Sequence, residues 1–162
     1  MSLKTAHLQN ISDIKGELFR LIEGMDYCLD WKPNPDSWSV RDVICHMLDT
    51  PEKGIHRLIE GIIHGDLREF NLEPDLLDVT PERLANDIDQ LRRELGQILE
   101  GLEQAVSHAS ESDFEGKTIL AHLIAYGRDE ERTTQSLLEG LFDRHWRGHL
   151  GQISSLKEAL GV

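Results

Sequence analysis

Metal chemistry is the first possibility raised by His145 and His149, which stand four residues apart in HWRGHLGQI. On a helix that spacing puts both rings on one face, with Cβ atoms roughly 6 Å apart, so two imidazoles can converge on one ion. Spacing alone is weak, because eight histidines in 162 residues make such a pair by chance about one time in three. Position matters more. Leu138, Leu141, Phe142, Ile153, Leu156 and Leu160 recur at helical intervals, and both histidines fall on that apolar stripe. An imidazole buried without a partner costs on the order of 1 to 3 kcal/mol. Hydrogen bonding between core histidines, contact with water at the frayed mouth of the bundle, or a bound ion must compensate.

A third ligand has to come from elsewhere. His46 and His122 are the candidates, since both lie within apolar runs. His46 stands on a different helix and offers better convergence, whereas His122 shares a chain segment with the first two. His7, His56, His64 and His108 fall near termini, loops or charged faces, where a solvated surface position is expected. Around the histidines, Gln152 is placed to hydrogen-bond a ligand or an incoming group. Asp42 and Asp49, at i−4 and i+3 from His46, could orient its other ring nitrogen. The stronger reading of Asp42 is half of a helix cap, and that of Asp49 a solvated charge.

The elements that must carry these residues read as helices. Ile11, Ile14, Leu18, Leu21, Met25 and Cys28 predict a first helix over 11–29, and the two prolines of Trp31–Ser37 force a loop. Ser39 with Asp42 forms a capping box opening helix two, with Trp38 expected to staple onto Val43. The pattern runs to about His64, bent at Pro51. A polar connection, Gly65–Val79, is long enough to cross one end of a bundle. Thr80 and Pro81 open a third helix that runs unbroken to Ala105. Ile119, Leu120, Leu123 and Ile124 start a fourth helical region that weakens at Gly127 and Arg128–Arg132 and resumes from Leu137 to Leu160, as one kinked helix or two pieces. No segment alternates with period two. The expectation is a single all-α domain over 1–162, a four-helix bundle with a long crossover between helices two and three.

Bulk composition narrows the partners. Seventeen Lys and Arg against thirty Asp and Glu leave a net charge of −13, a surface that repels phosphate backbones and anionic lipid. Nucleic acid and membrane are not expected as partners. Neither a membrane-length apolar run nor a signal-peptide core is present, which suggests a cytoplasmic protein. Cys28 and Cys45 are too few for a disulfide framework and read as small buried hydrophobes.

Trp38, Ser39 and His46 in WSVRDVICHMLD, followed by His145, His149, Gly151, Gln152 and Ile153 in HWRGHLGQI, resemble the DinB/YfiT-like family of four-helix-bundle proteins read as metalloenzymes. The resemblance spans nearly the whole chain in helix order. It implies a divalent metal, zinc or nickel foremost, held by His46, His145 and His149. It also implies a reaction of the thiol-dependent transferase or isomerase kind, with bacillithiol, mycothiol or glutathione as the thiol, and allows a homodimer. The run Asp129–Arg132 departs from shorter members, so the substrate class is not carried over.

Three imidazoles form the ligand set of an open catalytic site, with Zn–N near ~2.0 to 2.1 Å and a position left for water or substrate. A dication without thiolate or carboxylate ligands would acidify a bound thiol or water. Thiol transfer to a small electrophile is the leading expectation. Hydrolysis of a small molecule and a non-catalytic, metal-tied bundle are the alternatives. A helical protease is disfavoured, because Trp146 stands where its general-base Glu would follow the first histidine.

Overall fold

A computed structural model describes every residue except Glu52. Helix α1 spans Leu3–Ile22, capped by the Ser2 hydroxyl, which accepts from the Thr5 amide. It begins well before Ile11, because Ser2 supplies a cap that the apolar spacing does not show, and it ends near Gly24, whose φ of +73° reverses the chain. Met25–Cys28 is a separate 3₁₀ turn.

Helix α2, Val40–Asp49, starts on the expected capping box: the Ser39 side chain accepts from the Asp42 amide and the Asp42 carboxylate from the Ser39 amide. The single bent helix expected here is two helices, with α3 at Ile55–His64. Pro51 offers no N–H and crowds the preceding turn, and Gly54, at φ +98°, starts the chain again. Thr50 closes α2 with its amide donating to the His46 carbonyl at 3.0 Å.

The third helix is also divided. Thr80 and Pro81 open only the short α4, Pro81–Ala85. A second capping box, Asp87 with Gln90, then starts α5, Ile88–His108. The carbonyls freed at this break are taken by the buried Arg41 guanidinium, which donates to Arg83 O at 2.6 Å and Asn86 O at 2.7 Å while pairing with Asp30 at 2.7 Å. A buried cation is tolerable only with such complete pairing.

The all-α expectation is corrected by a three-stranded sheet. Strand β1, Glu69–Leu72, lies within the crossover and pairs in parallel with β2, Thr118–Leu123, which pairs antiparallel with β3, Arg128–Thr133. Asn71, His122 and Asp129 stand side by side across it. Between these strands and α5 lies the short helix α6, Asp113–Gly116. The segment around Ile119–Ile124 misled because so short an apolar run fits either period. Ile119, Ala121 and Leu123 point inward while Thr118 and Leu120 are exposed, the alternation of a strand with one covered face. Gly127, at φ +61°, makes the turn, and the charged run becomes an exposed edge strand, a composition that discourages pairing with other chains.

From Thr134 to Leu160 the chain is one continuous helical run: α7 at Thr134–Leu137, a π-helical stretch at Leu138–Arg144, and α8 at His145–Leu160. The buried residues of α1, α2, α3, α5 and α8 join in one hydrophobic cluster that includes the fully enclosed Trp146 and Phe114. The protein is helix-rich, with the small sheet covering part of one side. No described helix is long and apolar enough to cross a membrane.

Candidate metal centre

His46 lies near the C-terminal end of α2, whose apolar residues turn this face inward, and only 3% of its surface is exposed. His145 is the first residue of α8, directly after the π-helical stretch, and His149 follows one turn later. Wider winding of this kind re-phases the face a helix presents and is frequent at functional sites. The result is convergence: His145 Nε2 lies 3.0 Å from His46 Nε2 and 2.9 Å from His149 Nε2. One ligand-capable atom from each of the three falls within 4.8 Å of the others.

The remaining ring nitrogens define the protonation state. His46 Nδ1 lies 2.6 Å from the Leu76 carbonyl, which can only accept, so Nδ1 carries the proton and Nε2 a lone pair. Thr50 Oγ1 stands 3.2 Å from the same nitrogen. Likewise His149 Nδ1 faces Gln152 Oε1 at 2.9 Å, leaving its Nε2 bare. Two lone pairs therefore point at His145 Nε2. A single N–H there cannot serve both well, and His145 Nδ1 is buried without a partner of good geometry in either tautomer.

Hydrogen bonding alone thus leaves the trio under-satisfied, whereas a cation at the meeting point would satisfy all three lone pairs. A tetrahedral ion spaces its nitrogen ligands by roughly 3.3 Å, within a few tenths of an ångström of the contacts that His145 makes. The electrostatics agree. Burial first, then the neighbouring His149 and His46, push the pKa of His145 down to about 4, against a small opposing effect of the Leu141 backbone. Burial also lowers that of His149, opposed by the Gln152 hydrogen bond. At neutral pH these two rings are neutral, the form that ligates metals.

The other sequence candidates fall out differently. Gln152 meets His149 directly, as above. Asp42 is engaged in the cap and in an ion pair with Lys32 at 3.4 Å. Asp49 binds the Arg83 guanidinium at 2.6 Å and accepts from the Asp78 amide, tying the crossover to α2. His122 is on β2, 2.7 Å from Asp129, away from the trio. His64 and His108 are exposed as expected. His7 is not: it is buried, against Phe114 and Gln135, and the His56 ring is half-buried between Gly54 and Gly101. Trp38, expected as a staple on Val43, lies beside the trio, its ring centroid 5.0 Å from that of His46 and 6.4 Å from that of His149.

The imidazoles open on a cavity of about 380 Å³ lined by Leu72, Leu123, Tyr126 and Leu141 and by the crossover residues Glu73 and Asp75. Sequence reasoning missed this crossover segment. The only local signal was Pro74, and the Leu76 contact is a main-chain carbonyl, which any residue type supplies. Asp75 adopts a left-handed backbone, φ +54°, and its charge acts on His149. Such a conformation is uncommon outside glycine, with aspartate among the residues that tolerate it.

The chain is similar to YuaE, an uncharacterized protein of Bacillus subtilis (strain 168). The two are 26% identical over 159 residues, a match covering 89% of this chain and 93% of YuaE. Residues 17–153 match the family described as the DinB superfamily, a stretch that carries all three converging histidines, the whole of α2 and the first nine residues of α8. A three-histidine group able to hold a metal ion, in a helix-rich chain matched over most of its length, makes this protein a member of the DinB superfamily.

Proposed function

We propose that His46, His145 and His149 hold a divalent ion, zinc or nickel, and that the protein is a metal-dependent enzyme transferring a thiol to a small electrophilic molecule. The helical part is read as a variant four-helix bundle, with α1, the α2–α3 pair, α5 and α8 as its members. What supports the metal assignment is the pairing of each outer imidazole with an oxygen acceptor, Leu76 O and Gln152 Oε1, which turns two Nε2 lone pairs toward the third ring. A bound dication would supply Lewis acidity, lowering the pKa of a thiol or water that enters the cavity.

The chain's own residues do the rest. Gln152 and Leu76 hold two of the rings in register, as outer partners of metal-ligating histidines generally do. Leu72, Leu123, Leu141 and Tyr126 shield one side of the cavity and give an apolar substrate portion a place to lie. In the reaction the sulfur forms the new bond to the electrophile's carbon, the leaving group departs with the bonding pair, and the thiol proton passes to solvent.

Elemental analysis of protein made without an affinity tag, beside His46→Ala and His145→Ala, tests the site; equal metal in all three would remove it. Loss of free thiol in the presence of alkyl halide or epoxide electrophiles, absent from both variants, is the expected activity. Product formation without thiol consumption would identify water as the nucleophile and the protein as a hydrolase.

A further inference from the structure

We propose that Asp49 and Arg83 are positioning residues for the three-histidine centre, pinning the crossover so that the Leu76 carbonyl reaches His46, and that ion uptake by His46 and closure of the crossover are one linked event. This rests on the three histidines holding an ion. Leu72, Glu73, Pro74 and Asp75 of the crossover line the same cavity as the imidazoles. Among the described residues, the stretch 73–79 makes no backbone–backbone hydrogen bond to the rest of the protein. Side chains fasten it instead. His46 Nδ1 donates to Leu76 O at 2.6 Å, the Asp49 carboxylate accepts from the Asp78 amide at 3.1 Å, and Arg83 donates to Asp78 O at 3.1 Å. Arg83 also holds Asp49 at 2.6 Å, so carboxylate, guanidinium and the two Asp78 main-chain groups close a ring. Both side chains are largely shielded, 16% and 20% exposed, where charge-assisted bonds hold better than those of a solvated pair. His46 and Asp49 stand three apart on α2 and share a face, so the clamp fixes the crossover two residues from the carbonyl that meets the ring.

The His46 ring has two ways to satisfy itself. In the arrangement seen, Nδ1–H serves Leu76 O and Nε2 keeps its lone pair. In the other tautomer Nε2–H donates to His145 Nε2, 3.0 Å away, and Nδ1 accepts from the Thr50 hydroxyl at 3.2 Å, which leaves Leu76 O without its donor. The ring is neutral in both, and no proton is exchanged with solvent. Ligation needs the Nε2 lone pair and therefore admits only the first. The placement of one proton on the ring thus ties the ion to the crossover, and a clamp that keeps Leu76 O in reach favours the ion-ready form.

Two readouts on the full chain test the link without turnover: zinc affinity by competition with a chromophoric chelator, and chymotrypsin cleavage after Leu76 or Leu77, located by mass spectrometry. Zinc should slow that cleavage by about tenfold, and Asp49→Asn or Arg83→Met should speed it and weaken zinc binding by a similar factor, because linkage is reciprocal. Arg83→Lys keeps a cation beside Asp49 and should restore affinity to within about threefold of the unaltered protein. Thr50→Val removes the hydroxyl that supports the other tautomer. It should slow cleavage of the metal-free protein and tighten zinc binding by about twofold, the opposite sign to a loss of packing. Ser2→Ala removes the α1 cap and gives a less stable control whose zinc affinity should not change. Thermal melting verifies the fold of each variant. Unchanged zinc affinity in Asp49→Asn and Arg83→Met, or equal weakening in Ser2→Ala, would overturn the proposal and leave the metal assignment standing. So would cleavage that ignores zinc, or weaker zinc binding in Thr50→Val. Unaltered protein that takes up no zinc would overturn both.

Discussion

Two histidine environments in this protein invert one another. On the sheet, His122 is flanked by Asp129, 2.7 Å from Nδ1, and Glu69, 3.8 Å from Nε2, each across a neighbouring strand. The Asp129 hydrogen bond raises its pKa, so the ring favours a proton. At the helix junction, His145 and His149 meet His46 in a buried cluster, where burial lowers the pKa of both. The carboxylates turn one imidazole into half of an ion pair. Their absence from the immediate contacts of the other three, together with acceptors behind two of the rings, leaves lone pairs aimed at a common point. Residue type is the same; the neighbours decide whether a ring pairs with carboxylates or offers its lone pair.

The comparison breaks most visibly if metal content fails to follow it. His46→Ala and His145→Ala are expected to reduce bound zinc or nickel from about one ion per chain to near zero, while His122→Ala leaves it unchanged by elemental analysis. Adding ion to chelator-treated protein should come next in size. At a free concentration of 100 times Kd the folded state gains about 2.7 kcal/mol, or roughly 5–10 °C in melting temperature for a chain of this length. That gain should vanish in His145→Ala and persist in His122→Ala.

A smaller effect sharpens the role of the supporting residues. Gln152→Leu removes the acceptor behind His149 and should weaken metal affinity by about 10- to 100-fold without unfolding the protein, measured by competition with a chromophoric chelator. Unchanged affinity would show that packing alone orients that ring.

The smallest difference concerns His122. Because its folded pKa is raised, its contribution to stability is fully present below the unfolded value near ~6.5 and is lost as pH rises through the folded value. His122→Asn should therefore lower the melting temperature at pH ~5 and make no difference near pH ~9. A gap that widens with pH would contradict the ion-pair account.

How much of this was legible beforehand follows from the range of each signal. Ser39 with Asp42 and Thr80 with Pro81 announced helix starts, because caps are built from residues a few positions apart. By the same logic Asp87 with Gln90 is a readable start, but an apolar repeat that continues across the break hides it. The sheet was not legible, since β1 and β2 are brought together from distant parts of the chain and a six-residue apolar segment satisfies two periods at once.

Local chemistry alone determined that His145 and His149 share a helical face, that the chain is acidic, and that α2 starts at its cap, all consequences of neighbours within a turn or two. Packing decided that His46 and not His122 joins them, that a main-chain oxygen from the crossover orients it, and that residues of the crossover line the same cavity. Those contacts span dozens of residues, and a carbonyl oxygen carries no residue identity by which its position could be read in advance.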